Sequence, residues 1–261
     1  MYRTYRRPTA SASRTAWTLL PILLVFNAGL KADTDIVEDI LPGSFSSEPN
    51  GMVWLGGLLV FGADDGSGEE PWVSDGTIAG TRRLKDIAPG GSGSGPFEMT
   101  AFTQHVYFEA WDSNRGYELW RTDGTPAGTE LVKDINPGPD WSFTDDTGFV
   151  AAGGELFFGA DDGNSGFELW KTTGSTASTK RVKDINPGPA GSEVCDLESF
   201  KGKLYFGAND GQNGIELWRS DGTGAGTKLF KNIASGSGSG LNDCDPDFTE
   251  SNGLLYFGAY G

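Results

Sequence analysis

The chain reads as an all-β protein, a β-propeller of about five four-stranded blades with the last blade incomplete, as an open arc or a strained ring. Three observations predict this. The first is composition: 40 Gly and 13 Pro with 12% aromatic and 37% hydrophobic residues describe many short strands cut by tight turns. The second is a period. Trp72, Trp120, Trp170 and Trp218 stand at intervals of 48, 50 and 48 residues. The third is that two other markers keep the same register. They are the isoleucines Ile40, Ile87, Ile135, Ile185 and Ile233, and the apolar runs that begin at Leu58, Val106, Leu156, Leu204 and Leu255. A unit of about 40 to 50 residues holding four strand-length pieces has the size of a propeller blade. A β-helix coil is much shorter, an immunoglobulin-like sandwich needs about 100 residues, and helical repeats need a 3.6-residue apolar period that is absent.

The elements follow in chain order. Arg3, Arg6, Arg7 and Arg14 precede an apolar run from Ala16 to Phe26, followed by small residues and Lys31-Ala32. This is the layout of a secretory signal peptide over residues 1–32, with an uncleaved anchor as the alternative. Arg6-Arg7 hints at a twin-arginine signal, which Pro8-Thr9-Ala10 does not support. The formal charge is −16, and removing 1–32, which holds five basic residues and no acid, makes the remainder −21. Such an acidic body repels phosphate backbones and anionic lipid, which argues against nucleic acid and against membrane insertion of the mature chain.

Residues 33–261 form the repeat region, with copies at approximately 44–89, 90–137, 138–187 and 188–235 and a partial copy at 236–261. Asp35–Gly43 is an isolated end-of-blade segment with no blade before it. The fourth copy shows the internal plan. Cys195–Phe200, the "LYFGAND" run, "IELWRS" and Thr227–Ile233 each read as a strand, and each is bounded by Gly, Asn or Asp. A stacked sheet needs a second strand apolar on both faces, and "LYFGA" is that, with Gly and Ala leaving room for a neighbour's large ring and the repeated Trp supplying it. The "SGSG" stretches at Ser92–Gly95 and Ser235–Gly240 join one blade to the next, because the register runs through them. The last copy halts after its second strand, one strand short of five blades. A truncated product with exposed, self-associating edges is the expectation.

"Glu-Leu-Trp-x-x-Asp-Gly-Thr" at Glu118–Thr125 and Glu216–Thr223 resembles the bacterial ELWxxDGT repeat proteins. The resemblance covers about residues 35–261 and implies a secreted or cell-surface β-propeller, with no activity to carry over. Pro71, Val73 and Ser74 depart from the motif in the first copy, and Thr173 and Ser175 in the third.

Each copy repeats an acid pair about the turn between its second and third strands: Asp65 with Glu70, Asp112 with Glu118, Asp162 with Glu168, and Asp210 with Glu216. Hard oxygen donors beside glycine suit calcium, and a carboxylate accepting the N–H groups of its own turn suits the same residues equally. No copy has EF-hand spacing, and the turn loosely resembles the Asp-box hairpins of sialidase-type propellers. The Asp of Asp-Gly-Thr (Asp75, Asp123, Asp221) reads as a hairpin residue. His105, the one histidine, supports neither a His-bearing zinc site nor a Ser-His-Asp relay, and reads as an exposed turn residue. Cys195 and Cys244 occupy nearly matching places in consecutive copies and are candidates for one disulfide, free thiols being the alternative. Repetition of the acids points to scaffold, since a catalytic pair belongs to one place. The function expected is a non-enzymatic binding or interaction scaffold, secreted or at the cell surface, with a surface protein or glycan as partner. No cofactor is expected, with calcium left open. A propeller-type glycoside hydrolase and a purely structural repeat fragment are the alternatives.

Overall fold

The computed structural model describes residues 36–143, 148–241 and 247–260. The predicted leader 1–32 lies outside them. Each repeat is an antiparallel meander. The first blade holds β1 (Asn50–Leu55), β2 (Leu58–Asp64), β3 (Glu69–Ser74) and β4 (Arg82–Arg83). The second holds β5 (Phe97–Phe102), β6 (His105–Asp112), β7 (Gly116–Thr122) and β8 (Glu130–Lys133). The third holds β9 (Val150–Ala152), β10 (Glu155–Asp161), β11 (Phe167–Thr172) and β12 (Lys180–Arg181). The fourth holds β13 (Cys195–Phe200), β14 (Lys203–Asn209), β15 (Ile215–Ser220) and β16 (Lys228–Lys231). A two-stranded ribbon follows, β17 (Thr249–Ser251) with β18 (Leu254–Tyr256). The four complete sheets pair in sequence order and contain no helix, which is the blade architecture the period predicts.

One register governs all four. Phe61 faces Trp72, Phe108 faces Trp120, Phe158 faces Trp170 and Phe206 faces Trp218. The core lies between blades. Val60, Val73, Leu84 and Ile87 of the first blade pack against Val106, Phe108, Ala110 and Trp120 of the second. Leu119, Val132 and Ile135 of the second meet Leu156, Phe158 and Trp170 of the third, with Phe143 and Phe149 filling the wedge between them. Leu169 and Ile185 meet Leu204, Phe206 and Trp218 in the same way. Ahead of the first blade no sheet lies among the described residues, and Val37 and Ile40 of the leading segment cover Phe61 and Trp72. The segment that lacked a blade of its own thus serves as the cover of the next one.

The Trp therefore faces the preceding blade across an interface of Phe and Ala. The glycines of the second strands serve a different purpose from the one expected. A Cβ on Gly62 would meet the Glu69 and Asn50 side chains, and one on Gly207 those of Cys195 and Ile215, so the room they leave is taken first by side chains of the flanking strands and not by an indole ring. Lysines tie the blades further. Lys85, Lys133 and Lys183 donate from Nζ to the carbonyl oxygens of Thr129, Thr179 and Thr227 one blade on, at 3.0, 2.9 and 2.9 Å. Lys133 and Lys183 also lie over the rings of Trp170 and Trp218, at 5.5 and 5.4 Å from the centroids.

Trp170 is 5% exposed, and its indole N–H has no acceptor among the described residues, so its contribution is volume and apolar area. Trp170→Ala is expected to cost about 3–5 kcal/mol and Trp170→Phe about 1–2 kcal/mol in urea denaturation. Trp54→Ala, at a residue 67% exposed, is expected to change stability by no more than about 0.5 kcal/mol.

Candidate functional site

In an up-and-down meander, each first strand begins, and each last strand ends, at the end of the blade that carries the turn between the second and third strands. The inter-blade linkers lie at this end too. We call it the linker end. The predicted acid pairs sit there, but their two members separate.

The glutamate lies on the third strand and turns inward. Glu70, Glu118, Glu168 and Glu216 are each fully buried. The Glu118 carboxylate accepts the N–H groups of Ile135 (2.7 Å) and Asn136 (3.2 Å) and the hydroxyl of Ser142. Glu70 takes Ile87, Ala88 and Ser94, and Glu168 takes Ile185, Asn186 and Ser192. Glu216 takes Ile233 and Ala234. Each glutamate thus clamps the linker that leaves its own blade. Burial pushes the Glu118 carboxyl up to about 7, against the pull of its hydroxyl and amide donors. Glu70 and Glu168 are raised for the same reason.

The aspartate stays in the turn. Asp65 accepts the N–H and the hydroxyl of Ser67 and faces Arg83, Asp162 accepts the N–H groups of Asn164 and Ser165, and Asp210 those of Gln212 and Asn213. Asp112, the most buried of them, pairs with Arg115 at 2.9 Å. Among the described residues, no group of three or more His, Cys, Asp or Glu side chains is placed to hold a metal ion.

At the opposite end, the Asp-Gly-Thr hairpins work as turns. Asp123 Oδ1 accepts the N–H and hydroxyl of Thr125, whose own hydroxyl accepts the N–H of Gly128. A Cβ on Gly128 would overlap the Asp123 carboxylate. The third copy changes both residues together. Thr173 replaces the Asp and Ser178 the Gly, and the Ser178 hydroxyl accepts the N–H groups of Thr173 (3.2 Å) and Ser175 (3.0 Å). The oxygen has moved across the turn without being lost. A threonine closes every turn: Thr81, Thr129, Thr179 and Thr227 are buried and share hydroxyl hydrogen bonds with Ser74, Thr122, Thr172 and Ser220. Sequence reasoning missed these threonines, although they repeat at the same intervals as the Trp residues.

Blade-specific features are few and gather at the linker end. Glu109 replaces the glycine found at 62, 159 and 207, and is 5% exposed. Glu98 follows Phe97, the residue paired with Glu109, in the bulge of β5, at φ 51°, in the left-handed region that the matching bulge residues Gly51 and Asp196 also adopt. Burial, with Glu98 adding its charge, pushes the Glu109 carboxyl well above the usual carboxylate range, and burial raises Glu98. This is an acid pair confined to one blade. Nearby linkers carry two aromatic side chains where the others have small or polar residues: Trp141, 53% exposed with its ring 5.1 Å from Tyr117, and Phe45, 77% exposed. Phe45 lines a cleft of about 400 Å3 with Leu41, Ser46, Glu48, Asp64 and Gly66.

His105 is half-buried as the first residue of β6, its ring 6.2 Å from Tyr107, and is not the exposed turn residue expected. It stays at the edge of the interface because Phe102 and Tyr107 cover it. Cys195 is buried at the start of β13 and is disulfide-bonded, while Cys244 lies outside the described residues. Among the described residues, no helix is long and apolar enough to cross a membrane.

No protein-family model matches the chain, and no curated protein matches it. Among solved structures, TolB from Acinetobacter baumannii is similar over 87% of this chain and 54% of its own, at 12% identity and a TM-score of 0.44. A puromycin hydrolase is similar over 71% and 31%, at 16% identity and 0.46. A puromycin-hydrolyzing peptidase of Mycobacterium tuberculosis is similar over 72% and 29%, at 13% identity and 0.46. The chain spans about half or less of the length of these proteins.

The clamp predicts a pH dependence. The Glu118 carboxyl has a folded pKa of about 7, above its ordinary 4.5, so its contribution is fully present below 4.5 and is lost as pH rises to about 7. The stability of wild type relative to Glu118→Gln should fall between these values and level off above them in denaturation at stepped pH. Glu118→Ala, which strands the buried Ile135 N–H and the Ser142 hydroxyl while Asn136 keeps its bond to Ser142 Oγ, should cost about 2–3 kcal/mol.

Proposed function

We propose that the protein is an exported repeat propeller of the ELWxxDGT type that acts as a non-enzymatic binding scaffold, engaging a glycan or a surface polypeptide through its linker end. The observation that carries this reading is the pair of exposed aromatic residues on two linkers, Trp141 and Phe45, at positions where the framework needs no side chain. An exposed indole buttressed edge-on by Tyr117 offers a flat apolar platform. The cleft beside Phe45 has the volume of a small-ligand site. The repeated polar residues are occupied in turns and clamps, so recognition falls to the residues that differ between copies. The basic, then apolar, N-terminal sequence supports export, where an acidic body stays soluble.

Glu98 and Glu109 favour a second reading, a propeller-type glycoside hydrolase. A carboxyl whose hold on its proton burial strengthens, beside a second carboxyl, is the arrangement in which one acid protonates a leaving-group oxygen and the other activates water or attacks.

Two assays separate the readings. Glycan arrays and cell-surface extracts should show saturable binding that Trp141→Ala abolishes without changing the melting temperature. Equal binding by that variant would sink the scaffold reading. Chromogenic glycosides should show no turnover. Turnover lost on Glu109→Gln would install the hydrolase instead.

A further inference from the structure

At the end that carries the Asp-Gly-Thr hairpins, the grooves between neighbouring blades are not alike. Between the second and third blades the groove is closed. Arg121 donates across it to the Gly174 carbonyl oxygen and is paired with Glu130 on the adjoining strand of its own blade. Thr176 of the third blade completes the closure, its hydroxyl donating to the Val132 carbonyl oxygen at 2.7 Å. A base, an acid and a hydroxyl thus fill this groove, each with a partner.

Between the third and fourth blades all three have changed. Lys171 stands in place of Arg121 and turns to Glu155 of its own blade at 2.6 Å, Lys180 stands in place of Glu130, and Gly224 stands in place of Thr176. The Val182 carbonyl oxygen, counterpart of that of Val132, lies 3.2 Å from where a Cβ on Gly224 would be, and no hydroxyl reaches it from there. What results is a cleft of about 330 Å3, lined by Lys171, Lys180, Arg181 and Val182 on one side and by Gly222 to Gly224 on the other. Lys180 is paired with Lys171 across β11 and β12, so both lysines project from the face that Leu169 turns toward the fourth blade. Lys180 is exposed and has no ion pair or hydrogen bond among the described residues. The acids at the border are occupied, Glu155 by Lys171 and Asp221 by the N–H and hydroxyl of Thr223. The sequence of the third hairpin agrees with this. From Trp170 to Lys183 it carries Lys171, Lys180, Arg181 and Lys183 and no acid, whereas the matching segments of the other blades keep Asp75, Asp123 or Asp221. In a chain of net charge −16, this is a local reversal of sign beside an open cleft.

We infer that this cleft binds a single sugar residue bearing an anionic group, a carboxylate or a sulfate. Its volume falls at the lower end of the roughly 300–1,000 Å3 of small-ligand sites, which suits one ring. The Lys180 ammonium supplies the unpaired charge for a charge-assisted hydrogen bond to the anion. The Val182 carbonyl oxygen supplies an acceptor for a ring hydroxyl, and Gly222 and Gly224 let the ring approach the backbone closely. A bare inorganic anion leaves that acceptor unused, and a neutral sugar leaves the ammonium unpaired. The cleft lies at the opposite end of the blades from Phe45 and Trp141 and does not rest on the reading given above.

The test titrates the isotope-labelled full chain with D-glucuronate, a glucose monosulfate, D-glucose and inorganic sulfate, and follows backbone amide chemical shifts. Saturable shifts confined to Lys171, Lys180 to Val182 and Gly222 to Gly224 are expected with one or both anionic sugars, and which of them binds identifies the anion. Binding should weaken at least about tenfold in Lys180→Glu, which installs the acid of the second blade, and in Gly224→Thr, which installs the hydroxyl of the third. Both positions are exposed, and an unchanged melting temperature shows that the fold is intact in each variant. Trp141→Ala should leave this binding as it is, so that failure here and failure at the linker end are told apart. Equal affinity for D-glucose or for sulfate alone would overturn the proposal. Wild-type affinity in Lys180→Glu, or shifts confined to other parts of the chain, would overturn it equally.

Discussion

The structure depends on the covering of one sheet's apolar face by the next sheet, and the buried Glu of each third strand is what brings that next sheet into place. A four-stranded sheet with a second strand such as Leu-Tyr-Phe-Gly-Ala is apolar on both sides and is unstable alone in water. The hydrophobic effect supplies the drive to stack but has no direction. Direction comes from hydrogen bonds. Glu118 holds Ile135 and Asn136 by their peptide N–H groups, which fixes the path of the linker and seats Ile135 in the interface with Trp170. One carboxylate thus converts a local chain reversal into the placement of a whole blade. Its cost is desolvation, seen in the raised carboxyls of Glu70, Glu118 and Glu168, and the fixed amide donors offset that cost.

This arrangement divides the residues into two populations. Those that repeat are occupied: the Glu in its clamp, the Asp of each turn with backbone N–H groups, the Thr with its hydroxyl partner, and the Lys with the next blade's carbonyl. Those that vary, such as Phe45 and Trp141, stand outside these contacts. The third copy shows how much drift the framework tolerates. Thr173 and Ser178 together replace an Asp and a Gly, and the turn survives because an oxygen still faces the same two N–H groups. What the repeat preserves is the position of an acceptor rather than the identity of a side chain.

The architecture was legible because it rests on period and on turn chemistry, both of which are local in the chain. The predicted strands of the fourth copy agree with β13 to β16 within a few residues, since Gly, Asn and Asp mark each end. The inward turn of the glutamates was not legible. In the sequence, Glu168 stands six residues from Asp162 and looks like its partner, but Asp162 lies in the turn past the end of β10 while Glu168 is inside β11 and reaches the linker. The role of the glycines was misread for a related reason. Gly62 and Gly207 are small because side chains of the flanking strands close over them, Asn50 and Glu69 at one and Cys195 and Ile215 at the other, and which side chains meet a given residue depends on the register of the sheet. Glu109 was overlooked because a single acid in an apolar run looks like noise when the run is being read for its repeat.

Glu109 weighs more heavily once the framework is understood. Its position asks for glycine in the first, third and fourth blades, and a carboxyl placed there loses its hydration without a hydrogen-bond donor among the described residues. Its neighbour Glu98 adds a like charge. The bulge conformation of Glu98 recurs at Gly51 and Asp196, so what sets this blade apart is the second acid, Glu109, where the others have glycine. Local rules broken in concert, where no structural gain offsets them, mark the places where a fold yields stability to function. The second blade, with this pair and with Trp141 on the linker that leaves it, therefore carries departures from the common plan that the other copies lack.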